Sequence, residues 1–81
     1  MLTNDSNDLN RPISEERLVF ARNFRRARKA AGLTQQAITE RTGFAQSWLS
    51  EVENGLSPPS IDSMAELAKV VGQPLWKLLQ P

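Results

Sequence analysis

Residues 35–55 read QQAITERTGFAQSWLSEVENG, and this stretch decides the fold. Thr34, just ahead of it, can cap a helix, and Gln35 to Thr42 then forms a helix of about two turns. Gly43 breaks that helix, since glycine takes a left-handed backbone without steric cost. A further helix runs from about Ala45 to Asn54 and ends at Gly55. Leu49 and Val52 form its inner face, with Phe44 packing at its entry. Two short helices joined by so tight a turn can cross steeply, which leaves the second one projecting.

The outer face of that projecting helix reads Ala45, Gln46, Ser47, Ser50 and Glu51. It is small and polar. Such a face fits a DNA major groove, where Gln can pair bidentately with adenine, Ser with several bases, and Glu with the cytosine amine. Polar residues on a helix face are usually plain solvated surface, and the residue types alone leave both readings open.

On the N-terminal side, Ser14 followed by Glu15 and Glu16 is a helix start, a capping hydroxyl followed by acids suited to the positive end of the helix dipole. Phe20, Phe24, Ala27 and Ala31 recur at helical spacing, and Gly32 stops the helix. On the C-terminal side, Leu56 to Pro59 is a loop. Ser60 then caps a helix with Ile61, Met64, Leu67, Ala68 and Val71 pointing inward, ended by Gly72. Pro74 suits the first position of a last short helix through Leu79. The pattern predicts an all-α, compact five-helix domain over residues 14–81. Residues 1–13, rich in Asn, Asp and Ser, are predicted to form a flexible arm. Phe20, Phe24, Leu33, Ile38, Leu49 and Val52 are the candidate core.

Composition narrows the function classes. The 81 residues hold neither cysteine nor histidine, which excludes disulfides, thiolate metal sites, the usual catalytic triads and most zinc and haem chemistry. No catalytic constellation is legible, and no enzyme activity, cofactor, metal or small-molecule ligand is expected. No apolar run approaches the ~20 residues needed to span a bilayer, and Met1 to Asn10 is polar and acidic, unlike a signal peptide. A cytoplasmic protein with no membrane partner is the default. Charge is uneven: residues 1–16 sum to −3 and residues 17–81 to +4. Six cations lie between Arg17 and Lys29 with no acid among them. Such a stretch can face phosphate or merely solvent.

LTQQAITERTGFAQSWLSEVENG, followed by PPSIDSMAELAKVVG, resembles the Cro and lambda-repressor (XRE) family of helix-turn-helix domains. The likeness runs from about Phe20 to Leu79. It includes Arg28, Gly32-Leu33-Thr34-Gln35, Ile38, Gly43, Gln46-Ser47, Leu49-Ser50, Val52-Glu53, Gly55, Pro59-Ser60-Ile61, Leu67-Ala68 and Gly72. By this resemblance, Gln35 would contact phosphate and brace the reading glutamine. Gln46 would be the main base-reading residue with Ser47 beside it. Glu51 would be a further base-facing residue, joined on the outer face by Ala45 and Ser50, and Asn54 would contact phosphate. Arg28 and Glu53 would pair between the first and third helices. Two positions depart from the family pattern: Thr39 stands where alanine is common, and Ala45 stands where a capping Ser or Thr is common.

The resemblance implies a sequence-specific transcriptional regulator that binds double-stranded DNA as a homodimer on a palindromic operator. Phage repressors, restriction–modification controller proteins and antitoxins use such domains, and the length is most like the controllers. The competing reading is an antitoxin or anti-repressor module that works through a protein partner. The dimer is expected at the C-terminal helix, through Leu75, Trp76 and Leu79, because one narrow face cannot bury Leu75, Trp76, Leu78 and Leu79 together. The alternative is that Trp76 folds back onto Leu18 or Val19. Trp48 is left open between packing over the turn and touching DNA.

Overall fold

A computed structural model describes residues 12–81. Among them run five helices: α1 Glu15–Ala30, α2 Gln35–Thr42, α3 Gln46–Glu53, α4 Ile61–Val70 and α5 Leu75–Leu78, with no strand. The expected arm at residues 1–13 lies outside the described residues apart from Pro12 and Ile13. No helix among the described residues is long and apolar enough to cross a membrane.

Three helices begin on the hydroxyls expected to cap them. Ser14 accepts from the Arg17 amide at 3.2 Å, Thr34 from Ala37 at 3.0 Å and Ser60 from Ser63 at 3.0 Å. Each satisfies one of the amides that a helix start leaves without a partner. Pro74 departs from expectation. It is the cap of α5, with an extended backbone, rather than the first helical residue, so α5 is a single turn.

The core is one cluster. Phe20 and Phe24 of α1 are fully buried, with ring planes 10° apart and centroids 5.7 Å apart. Ile38 of α2, Leu49 and Val52 of α3, Met64, Leu67, Ala68 and Val71 from α4 and its cap, and Leu78 of α5 close around them. Leu33 lies half-buried at the rim rather than inside. Two residues expected to point inward do not. Ala31 is exposed at the C-cap of α1, just past the last helical residue, Ala30. Ile61 is 61% exposed. As the first residue of α4, its side chain leans toward the helix N-terminus and past the edge of the core.

The turn between α2 and α3 is set by two residues. Gly43 adopts a left-handed φ of 83°. The Thr42 hydroxyl donates to the Ile38 carbonyl at 2.8 Å and accepts from the Phe44 amide at 3.1 Å. Phe44 then rests on Trp48, with ring centroids 4.8 Å apart. Trp48 is half-buried against the core and packs over the turn. Three long-range bonds tie down the rest. Arg17 Nε donates to the Pro59 carbonyl at 2.8 Å, and Asn23 Nδ2 donates to the carbonyls of Leu78 and Gln80 at 3.0 and 2.7 Å.

One ion pair fixes α3 to α1. Arg28 and Glu53 are each 8% exposed. Arg28 Nε donates to Glu53 Oε2 at 2.6 Å and Nη2 to Oε1 at 2.9 Å, a fork matched to a carboxylate. Arg28 Nη1 also donates to the Leu33 carbonyl at 2.8 Å, and Gln35 Nε2 donates to Glu53 Oε1 at 3.2 Å. The hydrogen bond to Glu53, assisted by its charge and opposed by desolvation, raises the pKa of the Arg28 guanidinium. The stability that comes from a raised basic pKa is present below the ordinary arginine range and is lost only above it. At neutral pH the arginine side of the brace therefore stays charged.

Two stability measurements follow. A domain this size has a total stability of about 4–12 kcal/mol, and stranding one member of a buried pair costs ~3–5 kcal/mol. Arg28→Met or Glu53→Leu alone should bring urea unfolding close to the start of the titration, while the double variant recovers most of the loss. Additive losses would contradict the coupling. The Thr39 hydroxyl, in contrast, is buried without a partner. An unmet buried polar group costs about 1–3 kcal/mol, and alanine is the better helix former. Thr39→Ala should raise the unfolding free energy by about 1 kcal/mol, and a lower urea midpoint would show that the hydroxyl is better placed than its geometry indicates.

Candidate nucleic-acid interface

The face of interest is built on α3, which packs between α1 and α2 and is locked at its C-terminal end by Glu53. With Leu49 and Val52 buried, helical geometry sends Ala45, Gln46, Ser47 and Glu51 outward, and all four are exposed. Ser50 is half-buried at the flank of this face.

The start of α3 differs from the starts of α1, α2 and α4. Ala45 occupies the cap position with an extended backbone, and no side chain bonds the first amides. Helix start amides point outward at the positive end of the dipole. Here they lie beside Gln46 and Ser47, on the turn of the helix farthest from the Arg28–Glu53 brace.

The other expected site residues are placed less uniformly. Glu51 does not extend freely from the outer face: its Oε1 accepts from Ser57 Oγ at 2.7 Å, and its carbonyl accepts from the Leu56 amide at 2.8 Å. Gln35 is half-buried, and its amide nitrogen reaches Glu53 rather than bracing Gln46. Asn54 caps the C-terminus of α3, is exposed, and makes a long 3.5 Å contact to Ser50 Oγ. Gly55 follows with φ at 73°, and a Cβ there would meet Leu18 Cδ2 at 2.9 Å, so α1 closes directly over the end of α3.

At the opposite end of the fold, Leu75 and Leu79 are half-buried against their own core. Trp76 is 64% exposed, so it does not fold back onto its own domain. Of the three residues expected at a dimer contact, only Trp76 stands fully clear of the core.

Sequence reasoning missed Thr42, Ser57, Asn23 and Arg17. A signal for Thr42 existed: a hydroxyl at the last position of a helix, before a glycine, can bond back to the preceding turn. The bonds of Asn23 span 55 and 57 residues and that of Arg17 spans 42, so they leave no local trace.

Comparison with known proteins agrees with this geometry. A family model described as a helix-turn-helix domain matches residues 19–75. An uncharacterized HTH-type transcriptional regulator of Sinorhizobium fredii is 37% identical over 65 residues, which cover 80% of this chain and 84% of that protein. An uncharacterized HTH-type transcriptional regulator of Mycobacterium tuberculosis is 36% identical over 48 residues, 59% of this chain and 34% of that one. The crystal structure of a hypothetical transcription factor from Neisseria shares the fold, with a TM-score of 0.75 at 24% identity, covering 88% of this chain and 85% of that one. With the matched region spanning most of its length, from the first helix to the start of the last, this chain belongs to the helix-turn-helix domain family.

Proposed function

We propose that this protein is a sequence-specific DNA-binding transcriptional regulator that acts as a homodimer on a palindromic operator. One observation carries the reading. The first turn of α3 presents exposed Gln46 and Ser47 together with uncapped amides, on a helix held rigidly by Arg28 and Glu53. A major groove meets both needs of that turn. Base edges pair with Gln46 and Ser47, and the adjacent phosphates can accept from the free amides. The names of the relatives, HTH-type transcriptional regulators, support the same assignment.

Within this reading the residues divide by chemistry. Gln46 suits a bidentate pair with adenine, and Ser47 a single bond to a neighbouring base. Ala45 offers a methyl to a thymine methyl. Ser50 flanks the set, and Glu51 reaches a base only by leaving Ser57. Asn54, and Gln35 beyond its bond to Glu53, face phosphate, which fixes register without carrying sequence information.

The dimer rests on Trp76. A large exposed aromatic on a one-turn helix fits an isologous contact, in which each copy covers the other's indole. Such a contact can set the two copies of α3 about 34 Å apart, one turn of DNA.

Selection from random duplexes should yield a palindromic consensus. On that duplex Gln46→Ala should lose ~1–3 kcal/mol of discrimination at one base pair per half-site. Asn54→Ala should instead weaken all sequences evenly. Recovery of no consensus would contradict the proposal and favour a module working through a protein partner.

The dimer has its own test. Trp76→Glu should sediment as a monomer at a concentration where the wild type is a dimer, and should bind the full operator little better than a half-site. A monomeric wild type with operator affinity equal to the variant's would overturn the dimer.

A further inference from the structure

Along α1, beside the end of α3, runs a shallow groove. It is lined by Arg22, Arg25, Arg26 and Lys29 on the α1 side and by Glu53 and Asn54 on the other. Of the six cations of α1, two are engaged within the fold: Arg17 with the Pro59 carbonyl and Arg28 with Glu53. The other four are those that line the groove, and all four are exposed. The one acid lining it, Glu53, is neutralised by Arg28, the sole ion pair among the described residues. Among the described residues the groove is therefore a strip of uncompensated positive charge.

Its shape follows from the helix. Leu18, Arg22, Arg25 and Lys29 succeed one another at spacings of four, three and four, so they share one face of α1. Arg22 to Lys29 spans about 10 Å of helix at 1.5 Å per residue, roughly the run of three phosphates on one DNA strand. The floor is smooth because Gly55 lets Leu18 close over it without a side chain between them. One wall is Asn54, directly past the reading helix, so the strip continues the face proposed to meet DNA.

We infer that this groove binds the sugar–phosphate backbone of the operator, with Arg22, Arg25 and Lys29 contacting two or three successive phosphates of the strand that passes Asn54. The inference rests on the DNA-binding reading above and extends it to residues outside the helix-turn-helix. DNA suits the groove better than an acidic peptide does. The strip is continuous with the reading helix, its cations are regularly spaced, and its exposed apolar side chain is Leu18 alone. The contacts carry no sequence information. They add affinity and salt dependence, and they fix how far α3 tilts into its groove.

The test uses the full chain and the selected operator duplex, with binding followed by anisotropy across a salt series. The variant is Arg22→Gln, Arg25→Gln and Lys29→Gln together, all exposed positions, with helicity checked by circular dichroism. Each lost phosphate contact lowers the slope of log K against log salt by about 0.9, so the variant should lose about 2–3 from the wild-type slope. Lys69→Gln, an exposed cation on α4, should leave the slope in place. A neutral methylphosphonate placed at each backbone position in turn should reveal two or three phosphates that matter to the wild type and not to the variant. Equal slopes for wild type and variant, or identical methylphosphonate profiles, would overturn the groove assignment while leaving α3 as the reader. A wild type that binds no duplex would instead overturn the DNA-binding reading itself.

Discussion

The forked contact between Arg28 and Glu53 is the constraint on which the rest of the arrangement depends. It joins a residue in the last turn of α1 to the last residue of α3, in a site too dry for either charge to stand alone. A buried pair of this kind is a poor source of net stability, because desolvation consumes most of the attraction. What it supplies is direction. A guanidinium fork accepts a carboxylate in one plane and at one distance, so α3 cannot roll about its axis without breaking two short bonds. The Leu33 carbonyl and the Gln35 amide share the same charges, which ties the start of α2 to the end of α3. Apolar packing of Leu49 and Val52 alone would permit small rotations. A helix meant to present Gln46 and Ser47 at fixed positions needs the polar brace as well.

Local preference and global structure conflict at two places, and both lie in the helix-turn-helix. Ala45 leaves α3 uncapped, and Thr39 buries a hydroxyl that bonds to nothing. Elsewhere the local rules are obeyed: the other long helices are capped by hydroxyls, and the glycine turns take left-handed backbones. Where a sequence forgoes stability in one segment only, that segment is a candidate for function. For Ala45 this has a direct physical reading, since a side-chain cap would occupy the amides that a phosphate could otherwise reach. For Thr39 the structure offers no functional reason.

Much of the fold could be read from the chain because its signals are local. Ser14, Thr34 and Ser60 are capping hydroxyls next to periodic apolar runs, and Gly32, Gly43, Gly55 and Gly72 close the segments they follow. Ile61 misled because periodicity describes an angle around a helix axis and not whether that turn still overlies the core. Pro74 misled because a fixed φ suits the cap as well as the first helical position. At the site, the positions of Gln46 and Ser47 followed from the helix period. The attachments of Glu51 to Ser57 and of Gln35 to Glu53 did not, because side-chain partners depend on the path of the neighbouring loop and helix. The basic stretch of α1 was visible as composition. Its division into two cations bonded within the fold and four that line the groove required the tertiary structure.

The most direct measurement is a crystal structure of the protein on its selected operator. The expected result is two copies with α3 in successive major grooves, roughly 34 Å apart, Gln46 and Ser47 within hydrogen-bond reach of base edges, and the Arg28–Glu53 fork unchanged. A complex in which α3 lies outside the groove and Gln46 faces solvent would contradict the central claim.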